Sequence, residues 1–202
     1  MNKNRGLRLF SLLFLLLIVA GCTARHTFTA LVFDKKEPVG EIRGVSHTDE
    51  PFDLADLRGR YVLIFFGYTF CPDVCPTTLL EVGGALGALE QGGVPVAESV
   101  SAVFVTVDPE RDTPDRMAQY IGAFHPGIIG VVVDPSQLEA VKSSYGVYAA
   151  KSDVSQTSAA GYLMDHTAAI YVIDREGNLA ALFSNDTPAD VMAADMKALI
   201  GR

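Results

Sequence analysis

Tyr61-Val62-Leu63-Ile64-Phe65-Phe66-Gly67-Tyr68-Thr69-Phe70-Cys71-Pro72-Asp73-Val74-Cys75-Pro76-Thr77-Thr78-Leu79-Leu80 holds, within twenty residues, a strand, a loop and the start of a helix. The unbroken apolar run from Tyr61 to Phe66 is short enough for a strand and too apolar for an exposed one. Pro72 and Pro76 punctuate the loop, and from Thr77 to Leu89 the residues Leu79, Leu80, Val82, Leu86 and Leu89 recur at helical spacing. A strand that hands over to a helix N-terminus exposes side chains at the end of a sheet, and the helix dipole there favours thiolate. Cys71 and Cys75 stand at i and i+4, neighbours on one face of a helical turn, so their sulfurs can converge on one ion. The same spacing permits a disulfide if the Cα atoms come to about 5.5 Å.

Working outward, the alternation continues. Val100 to Val107 reads as a buried strand, Asp115 to Phe124 as a helix, Ile128 to Val133 as a strand and Pro135 to Tyr145 as a helix. Ala168 to Ile173 and Leu179 to Phe183 flank Asp174-Arg175-Glu176-Gly177-Asn178 as a closing hairpin, and Pro188 to Ile200 forms a last helix. Upstream, Phe52 to Leu57 alternates as a short strand or hairpin. The result is an α/β domain with a central mixed sheet flanked by helices over residues 41–202. Its element order is that of a thioredoxin-like fold with an insertion near residues 146–164, an order other α/β folds share.

The N-terminus carries an address. Lys3, Arg5 and Arg8 precede an apolar run from Leu9 to Ala20 that ends in small residues before Cys22. This is signal-peptide layout over residues 1–21, too short to span a bilayer with ease. Val19-Ala20-Gly21-Cys22 resembles the lipobox of bacterial lipoproteins, which implies lipid attachment at Cys22 and an extracytoplasmic, membrane-anchored location: the periplasmic side, or the outer face of the cytoplasmic membrane. The alternatives are an uncleaved transmembrane helix and an ordinary signal peptide that happens to end at a cysteine. Residues 22–40, without periodicity, read as a mobile tether that holds His26 in solvent. The formal charge of −8 becomes −11 once the three cationic residues of the leader are set aside. Such an acidic body, with no basic stripe, excludes nucleic acid as a partner. With Cys22 assigned to lipid, Cys71 and Cys75 remain the only thiols in an exported protein. They form a disulfide, a metal site, or both in turn.

Two thiolates leave a metal site incomplete, and His166, just ahead of the apolar strand Ala168 to Ile173, is the candidate third donor. In a thioredoxin-like fold the start of that strand lies beside the cysteine loop. Imidazole with two thiolates suits Cu(I), and also Cu(II) or Zn(II). Asp165 reads as a carboxylate beside His166, for a partner or for the imidazole, or as an ordinary loop acid. Asp108, Arg111 and Asp112 read as a polar turn that caps a helix or forms a local ion pair. His47 and His125 read as solvated, and Met164 as a packing methionine rather than a thioether ligand.

Cys71-Pro72-Asp73-Val74-Cys75-Pro76-Thr77-Thr78 within Gly67 to Leu80, Val107-Asp108-Pro109-Glu110-Arg111-Asp112-Thr113-Pro114, and Tyr162-Leu163-Met164-Asp165-His166-Thr167 together resemble the Sco/SenC family, in order and from about residue 38 to the end. The resemblance implies a thioredoxin-like fold, copper held by Cys71, Cys75 and His166, and delivery of that copper to the binuclear CuA site in subunit II of cytochrome c oxidase. Other periplasmic copper chaperones or thioredoxin-like reductases are the further partners expected. A competing reading makes the chain a thiol-disulfide oxidoreductase that reduces the cysteines of the CuA site or of another exported protein. The three-residue gap between the cysteines, and Asp165-His166-Thr167 where redox members of the fold have a Thr-Pro pair, favour metal. A peroxidase ranks last, since the residues around the cysteines offer acids rather than an activating arginine.

Overall fold

The computed structural model describes residues 26–152 and 162–201. The N-terminal arm contributes β1 (Leu31–Val32), and β2 (Arg43–Ser46) and β3 (Pro51–Asp53) follow. β4 (Tyr61–Gly67) and β5 (Val100–Thr106) are buried at every residue and pair in parallel along their whole length, from Tyr61 opposite Val100 to Gly67 opposite Thr106. Strands covered on both faces by helices read as continuous apolar runs, which is why these two were legible as buried strands. β6 (Ile128–Val133) extends the parallel set beside β5.

The crossovers are α1 (Val74–Gln91) with the one-turn α2 (Val96–Ser99) between β4 and β5, and α3 (Pro114–Ile121) between β5 and β6. After β6, α4 (Pro135–Tyr145) leads to β7 (Ala149–Ser152), which pairs only with β8 (Leu163–His166) in a separate two-stranded sheet. β9 (Ile170–Ile173), antiparallel to β4, then joins β10 (Leu179–Phe183), and α5 (Ala189–Ile200) packs against α1. The main sheet runs β1-β10-β9-β4-β5-β6-β2-β3. It is a mixed α/β sheet, as expected.

Three readings are corrected. Residues 26–40 are not a free tether: β1 pairs with β10, and Pro38 bridges Asn178. The cause is Asp195 on α5, only 1% exposed, whose buried carboxylate needs donors and receives them from Thr29 N–H at 2.9 Å, Ala30 N–H at 2.8 Å and His26 Nε2 at 2.6 Å. His26 is therefore a hydrogen-bond partner of Asp195 instead of a solvated residue. Phe52 to Leu57 divides into β3 and a 3-10 turn at Leu54–Leu57, which the Asp53 carboxylate caps through Ala55 N–H. The insertion near residues 146–164 holds β7 and β8, as expected, and its returning strand ends at His166. The residues of its middle, 153–161, and the leader with Cys22 lie outside the described residues.

Candidate metal centre

Cys71 sits in the turn that leaves β4, its N–H bonded to Tyr68 O, and Cys75 lies in the first turn of α1. The residue at the N-cap position, Asp73, makes no side-chain cap bond. The sulfur of Cys71 takes that place, accepting the Cys75 N–H at 3.4 Å. An anionic sulfur is therefore held where the helix dipole is positive. Gly67 is required here, since a Cβ on it would lie 2.7 Å from both the Cys75 sulfur and the Phe104 ring.

His166, the last residue of β8, reaches the same point from the separate hairpin. Its Nδ1 lies 3.0 Å from Thr167 O, a group that only accepts, so Nδ1 carries the proton and the Nε2 lone pair faces the Cys75 sulfur at 3.4 Å. The two sulfurs and an imidazole nitrogen all lie within 4.8 Å of one another. Donors about 2.0 to 2.3 Å from a common ion have separations near this range, so the group needs little closure to share one. Cys75 is buried and Cys71 half-buried, and both are free thiols.

The pair is electrostatically unequal. The Cys75 thiol donates to Cys71, the N–H groups of Asp73 and Cys75 reinforce it, and against the opposing effect of burial the Cys71 thiol is lowered to about 4. Cys75 is pushed up, first by the Cys71 sulfur it donates to and then by burial. The metal-free reduced site thus holds one thiolate and one thiol. That arrangement suits soft-metal capture and also leaves a nucleophilic sulfur for thiol exchange.

The polar turn after β5 does more than cap. Thr113 does cap α3, and Arg111 pairs with Asp108 at 2.5 Å, so the local reading holds for those contacts. Asp112, with no exposure, instead reaches across to the cysteine loop: its carboxylate accepts Thr69 N–H at 3.0 Å, Thr69 Oγ1 at 2.5 Å and Thr106 Oγ1 at 2.6 Å. Burial raises its pKa against the effect of those donors. The Arg111 guanidinium stacks on Tyr162 at 3.5 Å, stands 4.6 Å from the Phe70 ring centre and donates to Tyr162 O, while Tyr162 donates its hydroxyl to Asp108 at 2.7 Å. This brace ties the root of β8 to the cysteine loop. The acid-rich motif advertised a turn; only its tertiary contacts made it a brace.

The remaining candidates separate. Asp165 is exposed, one residue out of phase with His166 on β8, and so faces away from the sulfurs. Met164 packs on the core, as read, and gives its N–H to the Tyr68 hydroxyl at 3.1 Å. His125 and His47 are corrected from solvated to partly buried: Nδ1 of His125 accepts Gly127 N–H, and Nδ1 of His47 accepts Gly130 N–H. Tyr68, Thr69 and Tyr162 were missed as site residues, because nothing in their spacing marks them.

A buried strand, a cysteine pair at the following helix and a histidine delivered beside them define a thioredoxin-like protein with a convergent Cys-Cys-His group. Comparison with known proteins carries this one step further: residues 34–201 match SCO1/SenC, and the chain belongs to that family. It is 39% identical over 154 residues to the mitochondrial SCO2 homolog of Bos taurus, covering 75% of this chain and 55% of that one, so it spans about half the length of that relative. Among solved structures it is similar to Bradyrhizobium japonicum ScoI with copper bound, at 39% identity and TM-score 0.70 over 80% of this chain and 98% of that one. It is similar also to apo Sco1 of Thermus thermophilus, at 37% identity and TM-score 0.74 over 87% and 99%.

Proposed function

We propose that this chain is a copper carrier that holds the ion through Cys71, Cys75 and His166 and passes it by ligand exchange to the CuA site of cytochrome c oxidase subunit II during assembly. The observation that carries the reading is the convergence of two sulfurs and Nε2 within 4.8 Å, with one sulfur already a thiolate. A soft, three-donor set of this kind favours Cu(I) and accommodates Cu(II). The similar Bradyrhizobium protein has copper bound, which supports the choice of metal. Anaerobic Cu(I) titration of the reduced full chain in detergent is expected to saturate near one ion per chain. The Cys71→Ser, Cys75→Ser double variant, which keeps Cys22, is expected to bind none; equal binding by that variant would remove the copper reading.

The thiol-disulfide oxidoreductase reading is kept alive by one feature, the unequal pair with Cys71 poised as nucleophile. Metal is favoured because an imidazole aimed at the sulfurs adds a ligand, whereas thiol exchange has little use for it.

The location is part of the same proposal: lipid on Cys22 holds the domain on an extracytoplasmic membrane face. The basic head, the short apolar run and the small residues before Cys22 support it. Cys22→Ala is expected to move the protein from the membrane to the soluble fraction with copper binding intact. Retention as an integral membrane protein would point to an uncleaved span instead.

A further inference from the structure

β8 belongs to a two-stranded sheet of its own, so no ladder of the main sheet sets His166 against the cysteine loop. Something else must do so at the end of the strand nearest the ligands, because the Arg111 and Tyr162 brace acts at its root. Tyr68 meets that need. It is 2% exposed, directly follows β4, and carries one donor and one acceptor on its hydroxyl. The hydroxyl oxygen accepts the Met164 N–H at 3.1 Å, two residues before His166 on β8.

The Tyr68 carbonyl accepts the Cys71 N–H at 3.3 Å, and its ring meets the His166 imidazole edge-on, centroids 5.7 Å apart and planes at 88°. One residue thus holds the cysteine loop, the backbone of β8 and the imidazole that β8 carries.

We propose that Tyr68 is a positioning residue for the ligand set: its phenol takes the Met164 N–H, its carbonyl takes the Cys71 N–H and its ring lies against the imidazole, locking the strand that carries His166 onto the cysteine loop. The lock exists in the metal-free chain; its consequence for copper rests on the function proposed above.

Tyr68→Phe removes only the hydroxyl. Tyr145→Phe is the control, because Tyr145 is also buried and donates its hydroxyl to Gly40 O at 3.0 Å, a bond that joins α4 to the segment before β2. In the reduced, metal-free full chain, Met164 amide exchange is expected to rise at least about tenfold in Tyr68→Phe and to stay unchanged in Tyr145→Phe. With Cu(II) bound, Tyr68→Phe is expected to lose the ion to a chelator about tenfold faster, while the control releases it at the wild-type rate. Met164 exchange and copper release that match wild type in Tyr68→Phe would overturn the proposal, whatever happens to thermal stability. A wild-type chain that binds no copper would overturn the copper reading, while the amide measurement would still decide the lock.

Discussion

His166→Ala is expected to weaken Cu(II) retention by at least about a hundredfold, measured by competition with a chelator, while leaving the Cys71 to Cys75 disulfide able to form. The two effects separate because they draw on different segments. Bridging the sulfurs depends on the turn that leaves β4 and on the first turn of α1, both built from residues 68–75. The third donor comes from the separate hairpin, with Nε2 freed for it by the bond from Nδ1 to Thr167 O. Thiol titration after mild oxidation reads the first property and the chelator reads the second. In cells lacking the native gene the variant is expected to fail to restore oxidase activity, with partial rescue by added copper. Full restoration without added copper would make the imidazole dispensable and turn the function towards thiol-disulfide exchange.

Asp112→Ala is expected to cost about 2 to 4 kcal/mol of folding stability, read from urea denaturation at neutral pH. The carboxylate has no exposure, and its removal leaves Thr69 N–H, Thr69 Oγ1 and the fully buried Thr106 Oγ1 without their acceptor. Thr69 is two residues from Cys71, so the loss extends to the site, and copper affinity is expected to fall about 10- to 100-fold. Asp165→Ala, at an exposed position beside His166, is expected to stay within about 0.5 kcal/mol of wild type. A deficit in Asp112→Ala below about 1 kcal/mol would mean that the three donors find other partners and that the cysteine loop does not depend on this carboxylate.

The two acids show where sequence reading stops. Asp165 drew attention because it adjoins a candidate ligand, yet strand alternation turns it to the other side. Asp112 looked like a member of a local capping turn, yet it is the more consequential residue, because its partner segment lies 43 positions away. The N-terminal arm repeats the lesson. Its mixed composition has no periodicity, but 165 to 169 residues downstream Asp195 presents a buried carboxylate that the arm satisfies. A strand of two residues such as β1 has no pattern to detect, and its existence depends on the free edge of β10.

What the sequence by itself determined was everything that turns on neighbours within a few residues. The fully buried β4 and β5 follow from unbroken apolar runs, and the convergence of Cys71 and Cys75 follows from a spacing of one helical turn. His166 could be nominated from its place before the last hairpin, although it lies 91 residues from Cys75. The tertiary structure alone decided how that imidazole is held: on a hairpin outside the main sheet, pinned at its root by Arg111 and Tyr162 and near its tip by the Tyr68 hydroxyl. The physical reason is that backbone periodicity records which face of an element is buried. Which buried polar groups meet there depends on the order of the strands, and no local repeat encodes that order.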